Sequence, residues 1–114
     1  MPYLKINTNQ KLDNDSEVEL ASAASPLLAK MLGKPESYIM IEVHSGVSMQ
    51  FAGSTEPLAY LELKSIGLPE DKTQDLSLAL CALIHENLGI DTDRIYIEFA
   101  NADRHMWGWN SGTF

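Results

Sequence analysis

The chain has 114 residues, and few of them have chemistry to offer: Pro2, three histidines, one cysteine and a set of aromatics. His44, His85 and His105 are scattered and lack metal-ligand spacing. No glycine-rich phosphate loop and no Ser-His-Asp order is present. Cys81 stands alone and cannot close an internal disulfide, which fits a reducing compartment. It falls on an apolar helix face and reads as core. Pro2 is the exception. A small second residue allows the initiator Met1 to be trimmed, and the chain would then begin on a free secondary amine, a nitrogen able to take up and return a proton. The plain alternative is a proline opening a strand, where no ladder N–H is lost. What is built around Pro2 decides between the two.

The elements that position it show an internal repeat. "LGKPESYIMIEV" (Leu32–Val43) and "LGIDTDRIYIEF" (Leu88–Phe99) share Leu, Gly, Ile, Ile and Glu at one constant offset. "YLKIN" (Tyr3–Asn7) and "YLELK" (Tyr60–Lys64) match at nearly the same offset. A helical stretch lies between each opening and each closing strand. The chain therefore reads as β-α-β twice, one domain over 1–114 with pseudo-repeats of about 1–56 and 57–114.

The first helix is expected to start at Ser16, with Glu19 completing a capping box. Val18, Leu20, Ala21, Ala24, Leu27, Leu28 and Met31 recur at three- and four-residue steps, and Gly33 stops the helix. Pro26 predicts a bend, or a helix in two pieces. Pro69 suits the start of the second helix, whose apolar face is Leu76, Leu80, Leu83, Ile84 and Leu88 before Gly89. "SGVSMQFAGSTEP" between the halves is expected to hold a short extra strand and turns.

Period-two alternation puts Ile39, Ile41, Val43, Ile95, Ile97 and Phe99 on one sheet face with Leu4, Ile6, Leu61 and Leu63. Right-handed crossovers place both helices on that face. The expected fold is α+β, a four-stranded mixed sheet with two helices on one side. The uncovered face carries Lys5, Met40, Glu42, His44, Tyr60, Glu62, Tyr96 and Glu98. Such a mixed face suits packing against further copies around a wet centre; a monomer with an exposed amphipathic sheet is the competing reading.

Charge and hydropathy narrow the partners. Sixteen acids against eight bases give a net charge of −8, a surface that repels phosphate backbones and argues against nucleic-acid binding. No apolar run approaches the length of a membrane span. No basic segment followed by an apolar one opens the chain, so the expectation is a cytoplasmic protein without a signal peptide.

Pro2 before a strand, "INTN" (Ile6–Asn9), "LGKPESY" (Leu32–Tyr38), "GSTEP" (Gly53–Pro57), "KSIG" (Lys64–Gly67), "DRIYI" (Asp93–Ile97) and "GWNSGTF" (Gly108–Phe114) occur in that order along nearly the whole chain. Together they resemble the macrophage migration inhibitory factor family of the tautomerase superfamily. The resemblance implies a homotrimer with active sites where subunits meet. It also implies keto–enol tautomerisation of α-keto acids such as phenylpyruvate by the Pro2 amine, without a cofactor or metal. A general base works best with a pKa near ambient pH, and burial beside a cation lowers an amine's pKa toward it.

The resemblance assigns roles residue by residue. Lys34 corresponds to the lysine that pairs with the substrate carboxylate; after Gly33 it also suits a helix C-terminus. Ile66 corresponds to the residue whose backbone touches substrate, with Ser65 beside it, although both also fit a strand-end turn. Tyr38 and Trp109 correspond to aromatic pocket walls, or are plain core aromatics. Tyr96 corresponds to the tyrosine lent by the neighbouring subunit, and Phe114 to an apolar lining or simply a docked C-terminus. Two substrate-binding positions depart from the family: Glu98 stands where mammalian relatives have Asn, and Trp107 where a smaller apolar residue is common. A carboxylate at 98 would repel an anionic substrate or raise the pKa of the Pro2 amine, and Trp107 would narrow the pocket mouth or merely cap the sheet. The family's Cys-x-x-Cys is absent, so no thiol chemistry carries over. A trimeric binding or signalling protein with weak or vestigial tautomerase activity is the alternative on the same scaffold.

Overall fold

The computed structural model describes all 114 residues. The order is β1 (Tyr3–Thr8), α1 (Asn14–Leu32), β2 (Met40–His44), β3 (Ala59–Ile66), α2 (Thr73–Leu88) and β4 (Ile95–Ala102). A small C-terminal hairpin follows, β5 (Gly108–Trp109) and β6 (Gly112–Thr113). The sheet order is β2-β1-β3-β4: β1 and β3 are antiparallel at the centre, and each outer strand runs parallel to its neighbour. This is the mixed sheet expected from the repeat. The terminal hairpin is additional to it. It turns at Asn110 and Ser111, both at positive φ, 50° and 66°, as a two-residue hairpin requires.

Both helices lie on one face of the sheet because each carries a buried stripe. In α1 the stripe is Leu20, Ala24 and Leu28; in α2 it is Leu76, Leu80, Leu83 and Ile84. They close on Leu4, Ile6, Leu61 and Leu63, all fully buried. Removing this apolar surface from water is the main favourable term in folding. Val18 is an exception, more than half exposed at the first turns of α1.

Several local details differ from the sequence reading. The N-cap of α1 is Asp13, whose carboxylate accepts a hydrogen bond from the Ser16 N–H at 2.8 Å. Ser16 is thus inside the first turn, and no capping box forms. Pro26 neither splits α1 nor ends it; the helix runs unbroken from Asn14 to Leu32. The reason is orientation: Pro26 and Ser22, four residues before it, are both exposed, so the carbonyl that proline leaves without a donor faces water. Pro69 does not open α2 directly but precedes a 3₁₀ turn, Glu70–Lys72, that leads into it. The Gly/Ser-rich connection forms no strand. Phe51 and Ser54 exchange two backbone hydrogen bonds of 3.0 Å around Ala52 and Gly53, which have φ of 53° and 72°.

Arg94 holds that turn. Its guanidinium donates to the carbonyls of Phe51, Ser54, Glu56 and Pro57 at 3.0–3.2 Å and lies 5.3 Å from the Phe51 ring centre. Asn9 secures the other side, donating to Thr55 O and accepting from Leu58 N.

Two stability outcomes follow. Leu80 is fully buried in the common core, so Leu80→Ala should cost about 2–5 kcal/mol in denaturant titrations. A loss below about 1 kcal/mol would contradict the packing. Asp13→Ala should lower the midpoint at pH 7. The capping bonds hold the Asp13 carboxyl below its ordinary pKa of 3.8, so its contribution is present above that value and lost as pH falls through the folded-state pKa. The gap between wild type and variant should therefore close in strong acid.

Candidate active site

Pro2 is fully buried at the entrance to β1. Its carbonyl accepts a 3.0 Å hydrogen bond from the N–H of Met40, the first residue of β2. The antiparallel register with β3 ends with Tyr3, the next residue, opposite Lys64. Pro2 is thus held by the start of β2, and Tyr3 after it by β3. A proline suits the position because its nitrogen has no ladder hydrogen to place.

A cleft of about 500 Å³ opens over it. Pro2, Tyr38, Trp107, Trp109 and Phe114 all line it, together with Met1, Tyr3 and Glu42. Local structure explains the aromatic cluster. Pro35 starts a 3₁₀ turn that delivers Tyr38, with the Tyr38 N–H donating to Pro35 O at 3.1 Å. The C-terminal hairpin delivers Trp109, and the Phe114 N–H donates to Trp107 O at 3.3 Å. Trp109 stacks on Phe114 at 5.5 Å and 20°, and Tyr38 meets both rings edge-on at 5.8 and 6.1 Å. Such contacts contribute beyond their buried area. They form an apolar wall suited to a flat ring.

The amine at the chain start, here on Met1, is held below its ordinary pKa of 8.0. Burial is the largest cause, since it disfavours the charged form; the positive charges of Lys34 and Arg104 add to it. Glu42 is held below the usual carboxylate range, first by the hydrogen bond it accepts from the Tyr3 hydroxyl and then by His44. The reciprocal effect pushes Tyr3 up to about 12. Tyr60 is pushed up to about 12 by donating to Glu98. Both phenols are neutral donors over the working pH range. No cluster of three or more His, Cys, Asp or Glu side chains is placed to hold a metal ion.

The remaining residues singled out from sequence lie elsewhere. Lys34 is not in the cleft lining, but its charge reaches the chain-start amine. Ser65 and Ile66 are buried at the end of β3, and the Ser65 hydroxyl donates to Ile66 O at 3.0 Å. Tyr96 and Glu98 are on β4, the far edge of the sheet, and do not line this cleft. Tyr96 is exposed and packs on Phe51 at 4.6 Å; Glu98 pairs with Tyr60. Sequence reasoning missed Arg104, which lies outside the cleft lining but whose charge reaches the chain-start amine, and the lining residues Tyr3 and Glu42. Alternation places the last two on the open face, but only the parallel register of β1 with β2 makes Glu42 a neighbour of Tyr3 and of the cleft. Arg104 carries no sequence signal at all, because a 3₁₀ turn, Arg104–Met106, sets its position.

The Tyr–Glu pairs are testable by absorbance titration of the phenols. Tyr3 and Tyr60 should ionise near 12, well above an ordinary tyrosine at 10.0. Glu42→Gln should return Tyr3 toward the ordinary value and leave Tyr60 alone, and Glu98→Gln should do the reverse. All four tyrosines titrating together near 10 would contradict the pairing.

Comparison with known proteins adds three findings. A family model described as macrophage migration inhibitory factor matches residues 1–114. Macrophage migration inhibitory factor homologues of Trichinella spiralis and Brugia malayi are 36% and 39% identical to this chain, covering all of it and 100% and 99% of themselves. A crystal structure of a macrophage migration inhibitory factor homologue from Prochlorococcus marinus superposes with a TM-score of 0.93 at 43% identity, over 98% of each chain.

Proposed function

This chain belongs to the macrophage migration inhibitory factor family, and on that premise we propose that it is a keto–enol tautomerase acting on α-keto acids such as phenylpyruvate. The general base and acid would be the amine of Pro2, freed by loss of Met1. The observation that carries this reading is the burial of Pro2 under an aromatic cleft, with the adjoining amine held below its ordinary pKa.

Once Met1 is removed, the amine belongs to Pro2 itself and lies deeper than the one described above. In its neutral form the nitrogen takes a proton from the carbon next to the ketone. The C–H electron pair becomes the C=C bond, the carbonyl opens to an enolate oxygen, and a proton returns there to give the enol. Nothing is oxidised or reduced, and no cofactor is needed. The ring fixes the nitrogen, so little freedom is lost on reaching the transition state. Lys34 attracts the substrate carboxylate, the Ile66 backbone beside Ser65 contacts the substrate, and Tyr38, Trp109 and Phe114 hold its ring. Trp107 narrows the mouth.

In this reading the protein is a cytoplasmic homotrimer, each chain one domain of two pseudo-repeats. The location of Tyr96 and Glu98 away from the cleft of their own chain supports such an arrangement, since a neighbouring copy would then supply them. Glu98 makes the site more selective against anions than an asparagine would, and its charge opposes the lowering of the amine's pKa. No helix is long and apolar enough to cross a membrane.

The test begins with intact mass, to show that one Met has been lost. Met-free wild type and Pro2→Ala are then compared in phenylpyruvate tautomerisation. Loss of the positioned base should reduce kcat/KM by about 10²-fold or more. Equal rates would remove Pro2 from the mechanism. Binding without turnover in the Met-free protein would favour the binding-protein alternative.

A further inference from the structure

The aromatic cleft over Pro2 contains one charged side chain, and it is an acid. Glu42 is the only lining residue with a full side-chain charge; Lys34 and Arg104 both lie outside the lining. It stands on β2, on the open face of the sheet, with its side chain 40% exposed. The Tyr3 hydroxyl donates to Glu42 Oε1, and His44 Nε2 is paired with Oε2. A carboxylate accepts about four hydrogen bonds, so part of its capacity is unused. Lys5 is opposite Glu42 in the register but forms no ion pair with it. The bonds from Tyr3 and His44 also favour the ionised carboxylate. The cleft therefore offers a fixed negative charge in an otherwise aromatic and apolar lining.

We propose that this cleft binds arylalkyl ammonium ions, with the ammonium on Glu42 and the aryl ring against Trp109 and Phe114. Three observations meet in this assignment. The carboxylate and the rings line one cavity of about 500 Å³, ample for a phenyl ring on a short alkyl chain. The ammonium has N–H donors for the unused acceptor sites of Glu42. Tyr3, tied to Glu42 by its hydroxyl, brings a ring beside that carboxylate, and a cation over an aromatic face gains further attraction. An anion of the same skeleton meets like charge at Glu42 instead. This ligand class carries the opposite charge to an α-keto acid and has no keto group, so it occupies the cleft without turning over. The inference goes beyond the tautomerase reading and does not rest on it.

The test uses three ligands that differ only in their head group: phenethylamine, phenethyl alcohol and phenylacetate. Each is titrated at one fixed, mildly alkaline pH into Met-free wild type, Glu42→Gln and Glu42→Asp. Quenching of Trp107 and Trp109 fluorescence reads occupancy of the cleft, and these are the only tryptophans of the chain. Wild type should bind the amine more tightly than the alcohol. Glu42→Gln should weaken the amine about threefold to fivefold, the scale of a partly exposed ion pair. It should tighten phenylacetate and leave the alcohol unchanged, which also shows that the cleft is intact. Glu42→Asp keeps the charge and should keep the preference for the amine. Wild type that binds the amine no better than the alcohol overturns the proposal. So does Glu42→Gln with unchanged amine affinity, and so does equal weakening of all three ligands, which would mean a damaged wall. None of the three ligands can tautomerise as a keto acid does, so a chain inactive on phenylpyruvate but selective for the amine through Glu42 would sustain this inference and defeat the tautomerase reading.

Discussion

The hydrogen bond from Met40 N–H to Pro2 O is the contact on which the site depends. A chain end is ordinarily the loosest part of a domain. Here the second residue is fully buried and is held by the start of β2, while the next residue, Tyr3, is paired with β3. Burial is what shifts an amine toward neutrality, and fixed backbone is what gives it a direction. Neither would survive if β1 frayed at its first residue. The core beneath β1 therefore serves the site as well as stability, because Leu4 and Ile6 hold the strand flat against both helices.

Electrostatics divides the molecule in two. Around the chain start, Lys34 and Arg104 create a local positive field in a protein of net charge −8. Across the open sheet face, the register sets Glu42, Lys5, Glu62 and Glu98 in one row, with a single cation among three carboxylates. Tyr3 and Tyr60 donate into that row and relieve part of the repulsion, and in doing so become phenols that resist ionisation. Glu42 belongs to both regions, as a member of the row and of the cleft lining.

What is legible in the sequence is whatever depends on local periodicity. The duplicated Leu-Gly and Ile-x-Ile-Glu pattern reveals the two halves, and alternation sorts the buried from the open face correctly for Leu4, Ile6, Leu61 and Leu63. Cap and turn chemistry is less legible. The sequence reading starts α1 at Ser16, whereas the backbone places the cap at Asp13, a residue type of similar capping strength. Pro26 reads as disruptive because proline is costly inside a helix in general, and the exposed carbonyl that lowers the cost here is visible only in the structure. The site is readable only where a motif carries it, as with Pro2, Tyr38, Trp109 and Phe114. Arg104 and Glu42 take their places through a 3₁₀ turn and a parallel register between distant segments, and neither leaves a local trace. The positions of Tyr96 and Glu98 follow from strand order, which places β4 at the opposite edge from β2.

Arg94 bears on the order in which the molecule assembles. The turn at 51–54 lies at the end of the first half, yet the side chain that fastens it comes from the segment leading into the last long strand. That turn cannot settle until about forty further residues have been placed, and the central β1–β3 pairing likewise joins strands more than fifty residues apart. Non-local closures of this kind slow the search for the native state. The loop between the halves should thus be among the last parts to become rigid, and a nascent chain would hold a βαβ half with an unfastened tail until its C-terminal half emerged.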